Sequence, residues 1–173
     1  QTLALAFSKA LSLSYKRTQF TPDVLPSDLT GFSMYQKRTD SFAFQPGSLF
    51  CQLFLADEIN RTSSKTQSAL LEAMEENAVT VDGHTYRLPQ PFVVLATQNP
   101  IGSVGTQMLP ESQMDRFMFQ LKMGYPTLQE EIQILRSKQA GNPLDQIHPI
   151  LDAERLLHLR LSLIHISEPT RHL

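Results

Sequence analysis

The stretch LFLADEINR, residues 53–61, is apolar for four positions and then sets out two carboxylates, Asp57 and Glu58, an amide, Asn60, and a guanidinium, Arg61. With the preceding QPGSLFCQ it reads as a short turn followed by a strand. Its apolar density suits a strand covered on both faces, as in a parallel sheet. Such a strand must emerge into solvent somewhere, so a pair of solvated acids is the plainer reading of Asp57 and Glu58. The sharper reading is chemical. Magnesium takes few carboxylates and keeps its waters, so one aspartate at the end of a rigid strand can hold it through water. The adjacent glutamate can polarise a water for attack on a terminal phosphate. By itself an Asp-Glu pair after an apolar run does not decide between the two.

Working outward from this strand, two kinds of element alternate. QTLALAFSKAL puts Leu3, Ala6, Phe7, Ala10 and Leu11 on one helical face, and with no capping residue ahead of it the chain is expected to open inside a helix. SLSYKRTQF predicts a short strand ending near Phe20, TPDVLPSDLTG is rich in turn formers, and FSMYQKRTDSFAF reads as a hairpin. After the central strand, TSSKTQSALLEAMEEN predicts a helix with Ser or Thr at its start and Ala69, Leu70, Ala73 and Met74 on its apolar face. AVTVDGHTYRL predicts a hairpin turning at Asp82-Gly83. FVVLAT reads as a second strand of the buried type, FMFQLKM as a further strand, and TLQEEIQILRSKQA as a helix. Buried strands alternating with helices predict an α/β fold, a mostly parallel sheet covered on both faces. Ligands of such sheets gather at the carboxyl ends of the strands, and Asp57 and Asn99 both fall just past such ends.

The 173 residues suffice for one domain, or one domain and the start of another, and 41% hydrophobic with 18% charged residues fits a soluble globular chain. A net charge of -2 supplies no basic field for nucleic acid. No apolar run approaches the roughly 20 residues of a spanning helix and no signal peptide opens the chain, so no membrane role and a cytoplasmic location are expected. The lone cysteine, Cys51, agrees with a reducing compartment. His84, His148 and His158 have no ligand-like spacing to one another or to Cys51, which weighs against a zinc site. No Ser or Cys stands in a nucleophile-elbow context.

Two more residues draw notice. The amide of Asn99, in VVLATQNP, can hydrogen-bond a phosphate oxygen and an attacking water, although Asn-Pro is also a common turn opener. Arg116, in LPESQMDRF, can reach a neighbouring subunit's phosphates as an arginine finger does. The plainer reading is an ion pair with Glu111 or Asp115 on a solvated helix face.

The order of these pieces is more specific than any one of them. LFLADEINR, then SSKTQSALLEAMEENAVTVDGHTYRLPQPFVVLATQNP, then LPESQMDRF and GYPTLQEE closely resemble the AAA+ ATPases of the MoxR family, over residues 1 to about 159. The resemblance implies ATP and Mg2+ as cofactors. It makes LFLADEINR the Walker B motif, with Asp57 on magnesium, through water, and Glu58 activating the attacking water. It makes ATQNP the sensor 1 segment, with Asn99 sensing water and nucleotide phosphate, and places Arg116 in trans at a subunit boundary. The AVTVDGHTYRL hairpin stands where the family has its pre-sensor 1 insertion, and residues 20–47 resemble its insertion within the second helix, a device for handling client protein. The implied architecture is an αβα P-loop NTPase sandwich with a parallel sheet, followed by a helical lid, working as a homo-oligomeric ring, usually a hexamer. Implied clients are proteins that need a metal or cofactor, or that carry a von Willebrand factor A domain.

Residues 1–140 are then expected to be the AAA+ core, 141–160 a linker and the start of the lid, and 161–173, LSLIHISEPTRHL, a non-native tail. The family's Gly-Lys-Thr/Ser phosphate loop would precede QTLALAF and its sensor 2 arginine would follow residue 161. The chain therefore reads as an internal fragment, expected to bind ATP weakly or not at all alone. A DNA-directed motor is disfavoured by the lack of a basic stripe. The rival of another class is a non-catalytic ATPase-like scaffold, against which the retained Glu58 and Arg116 argue.

Overall fold

The computed structural model describes residues 2–99, 108–139 and 142–159. Their elements, in chain order, are α1 (Thr2–Ala10), β1 (Tyr15–Gln19), α2 (Pro26–Thr30), β2 (Gly31–Gln36), β3 (Ser41–Pro46), β4 (Leu53–Asp57), α3 (Ser64–Glu76), β5 (Ala78–Val81), β6 (His84–Arg87), β7 (Val93–Ala96), α4 (Glu111–Met114) and α5 (Leu128–Gln139). Single 3-10 turns occupy Ile59–Arg61 and Pro143–Gln146, and residues 153–159 are helical.

The LFLAD strand is the middle of a three-stranded parallel sheet of order β1-β4-β7. Register pairs Gln19 with Asp57 on one side and Ala56 with Ala96 on the other, so all three strands end together. Leu53, Phe54, Leu55 and Ala56 are each at most 2% exposed, as expected of a strand covered on both faces. Phe20, Leu29, Leu49, Phe54, Ile59 and Leu70, all at 0% exposure, form the heart of the core. Burying each such side chain contributes about 1.5–3 kcal/mol.

The central helix follows from its sequence. Ser63 caps α3, its hydroxyl accepting from the Thr66 amide at 3.3 Å. Leu70, Leu71 and Ala73 bury the apolar face. Gln67 donates to the Ile59 carbonyl at 3.0 Å, tying the helix to the loop that leaves β4. β5 and β6 form the expected hairpin, with Asp82 and Gly83 at φ 51° and 77° as a type I′ turn requires. β2 and β3 form the other. The two hairpins meet where Phe44 stacks on Tyr86, ring centroids 3.8 Å apart.

Three local expectations are corrected. The turn-rich TPDVLPSDLTG contains the short helix α2, because Pro26 pre-sets its first turn and the Asp28 carboxylate accepts from the Leu25 amide at 2.8 Å. FVVLAT forms β7 but is not of the fully buried type: Val93 is 36% exposed and Val94, Leu95 and Ala96 are half-buried. Among the described residues only β4 pairs with β7, so β7 is an edge of this sheet. FMFQLKM is not a strand at all. Met118, Phe119, Leu121 and Met123 are 79–88% exposed, and alternation alone cannot make a strand where no neighbouring strand among the described residues offers a ladder. The glycine-bearing loop at 100–107 and the tail at 160–173 lie outside the described residues. No helix among the described residues is long and apolar enough to cross a membrane.

Candidate active site

The sheet ends in a cluster of polar groups where β4 and β7 stop. Asp57 is the last residue of β4, and Glu58 follows in the left-handed conformation, φ 57° and ψ 49°. That bend costs a non-glycine residue about 1–2 kcal/mol, and β7 supplies what holds it. Just past β7, Thr97 accepts the Glu58 amide on its hydroxyl at 2.8 Å and the Ile59 amide on its carbonyl at 3.0 Å. The bend turns the Glu58 carboxylate away from the strand axis toward three donors. Arg61 reaches Oε2 at 2.7 Å, Gln19 reaches Oε2 at 2.8 Å, and the Asn99 amide reaches Oε1 at 3.3 Å.

Asp57 is held from both neighbouring strands. Its Oδ1 accepts from the Thr97 hydroxyl at 2.6 Å, and its Oδ2 accepts from Arg17 Nη2 at 2.6 Å and Nε at 3.1 Å. Arg17 also donates to Gln19. The two are two residues apart on β1 and so share one face of the sheet. Partial burial alone would push the Asp57 carboxyl up, but the hydrogen bonds from Thr97 and Arg17 hold it below the usual aspartate range. The Arg61 guanidinium, and then the Asn99 amide, hold Glu58 below the usual glutamate range. Both carboxyls are therefore ionised at neutral pH.

Asn99 is fixed through its backbone. Asn60, 3% exposed, donates to the Asn99 carbonyl at 3.0 Å and accepts the Asn99 amide at 3.2 Å. Asn60 and Arg61 both turn inward, Asn60 onto Asn99 and Arg61 onto Glu58.

Asp57, Glu58 and Asn99 are thus brought together, and Arg116 is not. Arg116 follows the short helix α4 and pairs through Nη1 with Glu75 Oε2 of α3 at 2.5 Å, both side chains well exposed. The intrahelical pair with Glu111 or Asp115 is replaced by a contact between helices. Three members of the cluster, Arg17, Gln19 and Thr97, have no signal of their own in the sequence. The parallel register that sets Gln19 beside Asp57 was the missing information.

Asp57 is the residue that would hold a magnesium ion here, through water, its own oxygens being bonded to Thr97 and Arg17. One carboxylate, its side chain 20% exposed, stands at the strand mouth. Among the described residues no group of three or more His, Cys, Asp or Glu could form an all-protein cage. A magnesium ion bound there would complete its shell with waters and a ligand's phosphates.

Comparison with known proteins gives the family. Residues 1–119 match the model of the "ATPase family associated with various cellular activities (AAA)". The chain is 52% identical to the uncharacterized protein YeaC of Bacillus subtilis over 155 residues, 90% of this chain and 48% of that protein. It is 42% identical to the chaperone MoxR1 of Mycobacterium tuberculosis over 161 residues, 92% of this chain and 42% of that protein. The chain therefore spans about half the length, or less, of the curated relatives it matches. A crystal structure of a candidate ATPase from Cytophaga hutchinsonii superimposes with a TM-score of 0.82 at 40% identity, over 94% of this chain and 49% of that one. A parallel sheet flanked by helices, carboxylates at the mouth of its middle strand, a match to the AAA model over most of the chain and MoxR-named relatives lead to one assignment: the chain belongs to the MoxR family of AAA+ ATPases.

Proposed function

We propose that this chain is the core of a motor that hydrolyses ATP between the subunits of a ring and uses the motion to remodel or mature client proteins. The observation that supports this reading best is the convergence of Asp57, Glu58 and Asn99 at adjacent strand ends, with the Asn99 amide 3.3 Å from the Glu58 carboxylate. Asp57 would hold magnesium through water, and the metal would supply charge neutralisation at the phosphates. Glu58, ionised at neutral pH and exposed to the cluster, accepts a proton from the attacking water. Asn99 donates through Nδ2, so that it orients Glu58 and senses the terminal phosphate. Arg116, free of the cluster and near the surface, suits action on a neighbouring subunit once it leaves Glu75.

Residues 1–140 form the AAA+ core in this reading, and 141–160 the linker and start of a helical lid. Clients that need a metal or cofactor, or that carry a von Willebrand factor A domain, fit the chaperone name of the MoxR1 relative. A hexameric ring and a cytoplasmic location belong to the same reading. The test is Glu58→Gln in the full-length protein. It should bind ATP as the wild type does and lose turnover by about 10²-fold or more, as removal of a general base does. Unchanged turnover in Glu58→Gln would sink the catalytic reading and leave the ATPase-like scaffold in its place.

A further inference from the structure

Thr97 makes contacts that none of the roles above uses. It is the first residue after β7, and its backbone and side chain together form four hydrogen bonds to the end of β4. Its amide donates to the Ala56 carbonyl at 2.9 Å and its carbonyl accepts from the Ile59 amide at 3.0 Å. Its hydroxyl donates to Asp57 Oδ1 at 2.6 Å and accepts the Glu58 amide at 2.8 Å. A hydroxyl carries one proton. The Glu58 amide can only donate, so the hydroxyl accepts there and its one proton goes to Asp57 Oδ1. One small group therefore bonds both the Asp57 carboxylate, whose other oxygen Arg17 holds, and the backbone of the left-handed turn that aims Glu58.

We propose that Thr97 is a positioning residue for the candidate site, its hydroxyl orienting Asp57 toward the metal and Glu58 toward the attacking water as one unit. The proposal rests on the reading of Asp57 and Glu58 given above. It differs from a packing role because it needs the hydroxyl and not the methyl group. Serine keeps both hydrogen bonds, whereas valine keeps the shape and removes both. Losing a partner that orients a metal ligand typically costs about 10- to 100-fold in metal affinity or activity.

The experiment compares wild type, Thr97→Val, Thr97→Ser and Glu58→Gln in the full-length protein. It measures Mn2+ binding in the presence of ATP by electron paramagnetic resonance, kcat and KM for ATP, and thermal unfolding. Thr97→Val should weaken Mn2+ binding and lower kcat, each by about 10-fold or more, with KM for ATP changed much less. Thr97→Ser should recover most of both. Equal Mn2+ affinity and kcat in Thr97→Val and wild type would overturn the proposal, as would a Thr97→Ser as damaged as Thr97→Val. Should Thr97→Val fail to fold, Thr97→Ala, which also lacks the hydroxyl, carries the same comparison with Thr97→Ser. Glu58→Gln separates the two levels. If it leaves turnover intact, the reading of the site is wrong and the role of Thr97 falls with it. If it abolishes turnover while Thr97→Val does not, only the role of Thr97 is wrong.

Discussion

Replacing Asn60 by alanine tests how the end of β7 is held. Asn60 is 3% exposed, and its side chain makes both a 3.0 Å bond to the Asn99 carbonyl and a 3.2 Å bond from the Asn99 amide. A buried intramolecular hydrogen bond has a net worth of about 0.5–1.5 kcal/mol, so the pair together should cost about 1–3 kcal/mol when deleted. For a chain of this size each kcal/mol shifts the melting temperature by roughly 2–4 °C. Urea unfolding followed by circular dichroism, with thermal melts alongside, measures both. Asn60→Asp sharpens the test. At neutral pH the aspartate still accepts the Asn99 amide but faces the Asn99 carbonyl with a buried negative charge in place of a donor. Its cost should match or exceed that of alanine. Burial disfavours the charged form, so the new carboxyl should titrate above the ordinary aspartate range. As pH falls through that raised value the carboxyl gains a proton, can donate to the carbonyl again, and Asn60→Asp should gain on Asn60→Ala. An Asn60→Ala variant that unfolds at the wild-type urea concentration would refute the reasoning. So would an Asn60→Asp variant as stable as wild type at pH 7.

Other consequences can be measured on the same footing. The folded-state carboxyls of Asp57 and Glu58 both lie below their ordinary values. The stability they contribute is therefore present above the unfolded values of about 3.9 and 4.3, and is lost as pH falls through the lower folded ones. The gap in melting temperature between wild type and Glu58→Gln should accordingly be constant from pH 6 to 8 and close in acid; a gap that widens in acid would contradict it. Gly31 and Gly83 both have positive φ, at 94° and 77°, but a Cβ on Gly31 would lie 2.3 Å from the Gln45 carbonyl oxygen while one on Gly83 meets nothing within 4 Å. Gly83→Ala should cost only the backbone term of about 1–2 kcal/mol. Gly31→Ala should cost clearly more in the same unfolding assay, and equal costs would argue against the close approach at Gly31. Glu75→Gln breaks an exposed pair with Arg116, and urea unfolding should register less than about 1 kcal/mol. A larger loss would mean that this pair holds the fold rather than parking a surface arginine.

Much of the architecture was legible in the order of residues. Apolar density marked LFLAD as a central strand, because a strand covered on both faces leaves no room for alternation. The 3.6-residue spacing of Leu70, Ala73 and Met74 after Ser63 marked α3, and Asp82-Gly83 marked a hairpin, since each of these is a local preference of the backbone. Asp57, Glu58 and Asn99 could be picked out because they stand at or shortly past strand ends, Asp57 closing β4, Glu58 following it and Asn99 lying three residues beyond β7. Local pattern misled where a neighbour decides the outcome. FMFQLKM reads like a strand but has no partner among the described residues, and FVVLAT is half-exposed because, among those residues, the sheet pairs it on one side only.

What only the tertiary structure decided is how the site residues are held. Parallel register sets Arg17 and Gln19 of β1 against Asp57 and Glu58, some 40 positions away, and brings Thr97 across from β7. Asn60 reaches Asn99 over a similar distance, and Arg116 finds Glu75 instead of a residue on its own helix. Sequence determines which residues end a strand, because periodicity and turn chemistry act over a few residues. Which hydroxyl, amide or guanidinium those ends then meet depends on how strands are ordered and registered in the sheet, and that is settled by packing over the whole core.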